Sequence, residues 1–296
     1  MISRSAIPKG VRVFTPEETA QHRAVEAKLL SVFHRWGFRE IITPTFEYLE
    51  VFEQPTAEDA GDQIFKFVDR QTGRLLALRV DITPQVARLV ATTLRQTPLP
   101  LRLAYAATVF RYHESPAGRR REFEQVGVEL IGLELPEADA EMIAMAVEGC
   151  QAVGLDAFQI DVGQVEVVRG LLNALQPTAE VRPRLVSAIR RKDPRELELL
   201  LRDVPADPGL KDAILALPRL YGGREILDQA GRLAFPPASR AALANLAEVV
   251  KILENYGLAE HVILDLAETH DFEYYCGVVF GAFSRGLGYQ LASGGR

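Results

Sequence analysis

The stretch "FRYHESPAGRRREFEQVGVELIG", residues 110–132, places a charged turn between two strand-like runs. The apolar run before the turn ends at Arg111. Side chains alternate along a strand with a period of two, so Gln125 and Glu129 lie on one face of the second run. The other face is aliphatic and is expected to be the core side; it carries Val126, Val128 and Leu130.

Antiparallel pairing of the two runs would bring Arg111 over the face that carries Gln125 and Glu129. A guanidinium binds a carboxylate through two parallel hydrogen bonds, and a carboxylate binds an ammonium group, so this face suits a zwitterion such as an amino acid. The residues alone leave a second interpretation open. The same charges could form an ion-pair lattice on an exposed sheet face, where each pair contributes only about 0 to 1 kcal/mol. The basic turn likewise is either an anion contact, at Arg119 and Arg121, or a solvated loop.

The composition excludes several classes of protein. With 48% hydrophobic and 25% charged residues among 296, the chain is neither disordered nor fibrous. Its net charge of −6 argues against broad capture of nucleic acid. The sequence lacks a P-loop, a GxGxxG fingerprint and a zincin HExxH motif, and its two cysteines are far apart. We therefore expect a cytoplasmic protein with no membrane span, metal ion or cofactor.

Local patterns predict an α+β organisation. Thr15 and Glu18 form a capping box at the start of a helix that runs to Gly37. Two strands are expected on either side of a turn at Gly73, and Thr83 is placed to begin a second helix after a strand. Residues 176–257 read as helices throughout, which predicts an all-helical insertion before the α+β body resumes.

Four segments together resemble the histidyl-tRNA synthetases, a class II family. Residues 110–132 resemble motif 2, "GFREIITPTFE" resembles motif 1, "LRVDIT" resembles the LRPEGT segment and "HDFEYYCGVVF" resembles the histidine-specific RGLDYY signature. The resemblance implies an antiparallel sheet flanked by helices. Its implied domains are a first part of the synthetase-like body at 1–175, the helical insertion at 176–257 and a return to the body at 258–296.

Departures from the family pattern concern the ATP side of the site. The arginine that the family is implied to use for adenylation corresponds to His270, and the motif 2 glutamate corresponds to His113. A largely neutral imidazole supplies less stabilisation to developing phosphate charge than a guanidinium does. The sequence ends in "LASGGR", which resembles the beginning of motif 3, so no complete ATP-binding strand and no anticodon domain are expected in it.

A synthetase-like body of this kind is similar to the regulatory subunits of ATP phosphoribosyltransferase, as are "LPRLYGGREILDQA" and "DFEYYCGVVFGAF". This resemblance implies a non-catalytic partner of a short-form catalytic subunit, required for the first step of histidine biosynthesis and for its feedback inhibition by histidine. The alternative is a histidyl-tRNA synthetase or a fragment of one, with ATP-dependent histidine activation. A third interpretation is a free-standing module that binds an amino acid or tRNA.

The resemblance also implies a set of residues that hold histidine. This set consists of Asp81, Thr83, Arg111, Gln125, Glu129, Tyr274 and Tyr275. Asp81 is one methylene shorter than the glutamate that the family carries in its LRPEGT segment. The motif 1 segment is implied to form a homodimer interface, and the catalytic subunit is the expected hetero-oligomeric partner.

Overall fold

A computed structural model describes residues 7–53, 64–112, 120–269, 272 and 274–296 of the chain. His113, Arg119 and His270, which entered the sequence argument, lie outside these ranges. The chain divides into two compact units, Met1–Leu133 and Glu134–Arg296. Each unit is described by itself.

In its described residues, the first unit contains two small sheets, two α-helices and a short 3-10 helix. Its elements are α1 (Pro16–Arg35), β1 (Arg39–Glu40), β2 (Phe46–Tyr48), a 3-10 helix (Leu49–Val51), β3 (Lys66–Val68), β4 (Leu75–Leu78), α2 (Thr83–Thr92), β5 (Leu101–Phe110) and β6 (Glu122–Ile131). One sheet has the order β1-β5-β6 and another has the order β2-β4-β3. Strand β1 runs parallel to β5, and the other pairs are antiparallel.

The local signals of the first unit have the expected structural effect. Thr15 Oγ1 accepts a hydrogen bond from the Glu18 amide at 3.3 Å, and Glu18 Oε2 accepts one from the Thr15 amide at 2.9 Å, so the capping box is confirmed. Gly73 has a φ of +73°, which a residue without a Cβ adopts at no steric cost, in the turn between β3 and β4. The helix predicted at Thr83 is α2, but the predicted cap is wrong: Ile82 precedes the helix and makes no side-chain cap hydrogen bond, and Thr83 is the first helical residue.

Both faces of the β5–β6 pair are covered, which corrects the expectation of one core face. Gln125 and Glu129 stand opposite Ala107 and Leu103, and directly opposed residues share a face. That same face carries a buried cluster in which α2 packs on β5; its members are Ile82, Val86, Leu101, Leu103, Tyr105 and Val109. Helix α1 contacts both strands as well. The polar face of β6 therefore borders the apolar core.

The second unit is a sheet with helices. Its elements are α3 (Pro136–Ala152), β7 (Phe158–Gln164), α4 (Val165–Leu175), α5 (Val181–Arg190), α6 (Pro194–Arg202), α7 (Pro208–Ala216), a 3-10 helix (Leu217–Arg219), β8 (Tyr221–Gly222), α8 (Glu225–Gly231), α9 (Pro237–Asn255), a 3-10 helix (Ala259–His261), β9 (Val262–Asp265), β10 (Val278–Ser284) and β11 (Ala292–Gly295). The strand order is β11-β10-β7-β9-β8, and β7 runs parallel to β9.

The predicted insertion contains α5 to α9 and also a short strand. Residues 221–222 pair with β9, so this stretch contributes one edge of the sheet as well as helices. Helix α9 packs closely on α4: Ser239 Oγ donates to the Val167 carbonyl at 2.7 Å. In the part of the chain that the structure describes, no helix is both long and apolar enough to cross a membrane.

Candidate functional site

Asp81 and Thr83 lie where β4 leads into α2. The Asp81 carboxylate accepts hydrogen bonds from the Ile82 amide at 2.7 Å and from the Thr83 amide at 3.4 Å. These amides belong to the first turn of the helix, whose N–H groups have no partner within the helix itself. The carboxylate is therefore held at the helix N-terminus, where negative charge is favoured.

Two side-chain hydrogen bonds join this helix start to β6. Thr83 Oγ1 donates to Glu129 Oε1 at 2.7 Å, and Gln125 Nε2 donates to Asp81 Oδ1 at 2.8 Å. Residues some 45 positions apart in the chain are thus brought into one group. We call Asp81, Thr83, Gln125 and Glu129 the acid–amide cluster. The side-chain oxygen of Gln125, Oε1, is buried and has no hydrogen-bond partner among the described residues.

Burial changes the ionisation of Glu129. Its pKa is raised from 4.5 to about 7, mainly because the carboxyl group is withdrawn from water and also because Asp81 is a nearby like charge. The hydrogen bonds from Thr83 and Tyr105 favour the carboxylate and act in the opposite direction. Near neutral pH, Glu129 is therefore only partly ionised, and a cation placed beside it would favour its carboxylate form.

Tyr105 belongs to the site although the sequence analysis did not identify it. Its hydroxyl lies 3.5 Å from Glu129 Oε1, and its pKa is raised by burial and by the neighbouring carboxylates. The residue opposite it on β6 is Gly127, where an added Cβ would lie 2.7 Å from the tyrosine oxygen. A glycine inside a strand often marks such a close approach. In the sequence, Gly127 was therefore the indication that a side chain of the neighbouring strand, that of Tyr105, approaches β6 closely.

Arg111 lies over the face of β6 that carries Gln125 and Glu129, and its guanidinium already contacts other groups of the protein. Its Nε donates to the Val80 carbonyl at 2.9 Å, and its guanidinium lies 5.2 Å from the centre of the Phe123 ring. Phe123 shares the face of Gln125 and Glu129. Arg111 thus lies at the Phe123 end of this face, next to the residue that precedes Asp81.

The remaining predicted residues are placed elsewhere or fall outside the described ranges. Arg121 packs against Tyr112, with 4.5 Å from its guanidinium carbon to the ring centre, and its amide donates to the Gly10 carbonyl at 2.7 Å. Arg119 lies outside the described residues. Tyr274 and Tyr275 belong to the second unit, where their rings meet edge to face at 5.0 Å.

The acid–amide cluster is chemically suited to a cationic group. Among the described residues, no lysine, arginine or histidine forms an ion pair with Asp81 or Glu129. No group of three or more histidine, cysteine, aspartate or glutamate residues in these ranges could hold a metal ion. Two carboxylates, a hydroxyl and an amide instead provide acceptors for the N–H groups of an organic cation.

Known proteins resemble this chain over nearly its whole length. The family model described as Histidyl-tRNA synthetase matches residues 10–296. The ATP phosphoribosyltransferase regulatory subunit of Geobacter sulfurreducens is 45% identical over 290 residues, which are 98% of this chain and 66% of the relative. The chain spans about two thirds of the length of this relative and of two similar curated relatives.

Solved structures show the same fold. The crystal structure of an ATP phosphoribosyltransferase regulatory subunit/histidyl-tRNA synthetase from Bacillus halodurans matches with a TM-score of 0.90 at 32% identity, covering 100% of this chain and 76% of that one. A chain of the ATP phosphoribosyl transferase (HisG:HisZ) complex from Thermotoga maritima matches with a TM-score of 0.70 at 19% identity. That match covers 93% of this chain and 91% of the other.

Proposed function

Because this chain belongs to the histidyl-tRNA synthetase family, and within it to the ATP phosphoribosyltransferase regulatory subunits, we propose that it binds and regulates a short-form ATP phosphoribosyltransferase catalytic subunit. The partner joins ATP and phosphoribosyl pyrophosphate in the first step of histidine biosynthesis, and this chain contributes no catalytic residue. Histidine inhibits the assembly by binding to this chain.

The observation that carries the proposed histidine binding is a pair of carboxylates, those of Asp81 and Glu129, that form no ion pair with a cationic side chain among the described residues. Asp81 and Glu129 bring acceptors and negative charge together beside a buried apolar core, and Glu129 is only partly ionised near neutral pH. A ligand that supplies an ammonium group and an imidazole satisfies both acids. Free histidine carries these two groups on one small molecule.

The proposed contacts follow from the placement of each side chain. Asp81, Thr83, Gln125 and Glu129 hold the ammonium and the imidazole, and Tyr105 keeps the Glu129 carboxylate in place. The Arg111 guanidinium, which uses Nε for the Val80 carbonyl, retains further N–H donors for the carboxylate of histidine. Binding at such a site regulates only if histidine has a higher affinity for one state of the assembly than for another.

An activity assay with purified components tests the proposal. The short-form catalytic subunit from the same genome is mixed with ATP and phosphoribosyl pyrophosphate, with and without this protein, after co-purification of the pair has been attempted. We expect a stable complex and an activity that depends on this chain. Failure to associate contradicts the proposal, and pyrophosphate exchange that depends on histidine and ATP would indicate a synthetase instead.

We also propose that the chain forms a homodimer through the motif 1 segment, residues 37–47. Ile42 is 93% exposed and Phe46 is 52% exposed in the single chain, and both lie in this segment. Burying large apolar side chains is the main driving force for association. Light scattering is expected to give a dimer for the wild-type protein and a monomer for Ile42→Asp. A wild-type protein that is monomeric at micromolar concentration contradicts this proposal.

A further inference from the structure

Arg79 is a buried cation at the junction of the β1-β5-β6 sheet and the β2-β4-β3 sheet of the first unit. It directly follows β4, and only 8% of its surface is exposed. Arg88 of α2 forms an ion pair with Glu47, whereas among the described residues no carboxylate forms one with Arg79. Because a charge is costly to bury, other groups of the protein must compensate this guanidinium.

Backbone carbonyls supply this compensation, and they come from two parts of the fold. Arg79 Nε donates to the Thr108 carbonyl on β5 at 2.5 Å. Its Nη1 donates to the Thr43 carbonyl at 2.9 Å and to the Pro44 carbonyl at 3.4 Å, in the segment that leads into β2. The planar fork of N–H donors on a guanidinium is suited to reaching several carbonyls at once. One side chain thus joins the first sheet to the beginning of the second.

The backbone around Arg79 makes the same connection. The Arg79 amide donates to the Thr45 carbonyl at 3.1 Å, and the Arg79 carbonyl accepts from the Phe110 amide at 2.9 Å. The carbonyl of the next residue, Val80, accepts from Arg111 Nε at 2.9 Å. The chain between β4 and α2 is therefore attached both to the end of β5 and to the segment before β2.

The acid–amide cluster depends on this connection because its members come from both sheets. Asp81 and Thr83 follow β4 of one sheet, whereas Gln125 and Glu129 lie on β6 of the other. Two side-chain hydrogen bonds, of 2.7 and 2.8 Å, join these two pairs of residues. A hydrogen bond is lost when its heavy atoms move apart by about 1 Å. The cluster therefore requires the end of β4 to keep its place relative to β6.

We propose that Arg79 is a positioning residue that fixes the end of β4 to β5 and thereby holds Asp81 and Thr83 in the acid–amide cluster. This role rests on the proposed function, because the cluster is taken to bind histidine. Arg79 acts through Asp81 and Thr83 and makes no contact with histidine itself. A second consequence needs no ligand: the cluster stays withdrawn from water, which is the main cause of the raised pKa of Glu129.

Arg79→Lys tests this role, because an ammonium keeps the charge but cannot reproduce the fork that reaches carbonyls of both sheets. Histidine affinity is measured by calorimetry. Hydrogen–deuterium exchange of a peptide covering residues 108–112, which contains the Phe110 amide, is measured without ligand. We expect weaker binding and faster exchange, each by at least about tenfold. Wild-type affinity overturns the proposal, and so does unchanged exchange.

A third measurement distinguishes positioning from a general loss of stability. Glu129→Gln is expected to stabilise the wild-type protein against urea at pH 8.5 much more than at pH 4.5, because burial disfavours the ionised carboxyl. In the Arg79→Lys background the cluster is more open to water, so this pH-dependent gain is expected to fall below about half. A general loss of stability would leave the gain unchanged, and that result overturns the proposal.

Arg102→Lys is the matched control, because Arg102 Nη1 also donates to a backbone carbonyl of the first unit, that of Trp36, at 3.2 Å. Arg102 lies on β5 opposite Leu130, on the face that does not carry the acid–amide cluster. This variant is expected to leave histidine affinity and exchange of residues 108–112 within about twofold of wild type. Equal effects of Arg79→Lys and Arg102→Lys overturn the proposal.

Arg79→Gln serves if Arg79→Lys does not fold, because it keeps an N–H donor group and removes the buried charge. The same three changes are expected. Failure of both variants to fold overturns the proposal, since Arg79 would then be a general requirement for folding. If the wild-type protein binds no histidine, the proposed function fails. The exchange and urea measurements, which use no ligand, then still decide whether Arg79 holds the cluster.

Discussion

Replacing Glu129 by alanine is expected to weaken histidine binding by roughly 30-fold to more than 1000-fold, because truncating one partner of a buried charge pair costs about 2 to 5 kcal/mol. The loss has two sources. The ligand cation loses its carboxylate, and the Thr83 hydroxyl, which donates to Glu129 at 2.7 Å, loses its acceptor. Calorimetry on the purified protein at pH 8 measures the effect with Glu129 largely ionised.

A matched control is available on the same strand. Glu122 lies at the start of β6 and is exposed, so Glu122→Ala removes the same charge without touching the acid–amide cluster. We expect its histidine affinity to stay within about twofold of wild type. Gln125→Ala is expected to have a histidine affinity between those of Glu129→Ala and Glu122→Ala, because Gln125 donates to Asp81 and not to Glu129. Equal histidine affinities of Glu129→Ala and wild type would show that the acid–amide cluster is not part of the histidine site.

The ligand-free protein should become more stable when Glu129 is replaced by glutamine, and only at high pH. The pKa of this carboxyl is raised from 4.5 to about 7 by burial and by Asp81, so the folded state favours the neutral form. An acid with a raised pKa lowers stability as the pH increases from the unfolded value through the folded one. Glutamine stays neutral at every pH. The gain at pH 8.5 is expected to be about 1 to 3 kcal/mol.

Urea unfolding at pH 4.5 and at pH 8.5 measures this difference. The stabilities of the two proteins should nearly converge at the lower pH, where Glu129 is neutral in the folded chain and about half ionised in the unfolded chain. Glu122→Gln, at the exposed start of the strand, should show no comparable pH-dependent gain. A Glu129→Gln variant that is less stable than wild type at pH 8.5 would show that the carboxylate is well compensated in the absence of ligand. There would then be no electrostatic reason for the acid–amide cluster to favour a cationic ligand.

Local patterns predicted much of the fold because each depends on a few neighbouring residues. The Thr15 capping box and the turn at Gly73 follow from a side chain or a backbone angle acting within one turn, and the proline at position 84 lies in the first turn of α2. Alternation along β6 correctly placed Gln125 and Glu129 on one face. These features are confirmed in the structure, whereas the predicted division into domains stays a prediction.

What the sequence could not reveal is what each face contacts. The aliphatic residues of β6 pointed to a single core side, yet Leu103 and Tyr105 of the neighbouring strand make the opposite face apolar as well. Alternation within one strand contains no information about residues across the pair. For that reason the raised pKa of Glu129 was not predictable.

The proposed regulation by histidine depends on the two carboxylates. Recognition of an amino acid requires acceptors for its cationic groups, and Asp81 and Glu129 supply them without a competing ion pair among the described residues. Activation of the amino acid would further require cations for the phosphates of ATP. At the positions that correspond to the adenylation arginine and the motif 2 glutamate, this chain has His270 and His113.

Histidine inhibition of the reconstituted ATP phosphoribosyltransferase complex, compared between wild-type protein and Glu129→Ala, tests the central claim most directly. With wild-type protein, we expect phosphoribosyl transfer to fall as histidine is added. With Glu129→Ala, the complex should assemble and turn over normally but should need at least about 30-fold more histidine for the same inhibition. A Glu129→Ala complex that is active and as sensitive to histidine as the wild-type complex would contradict the account.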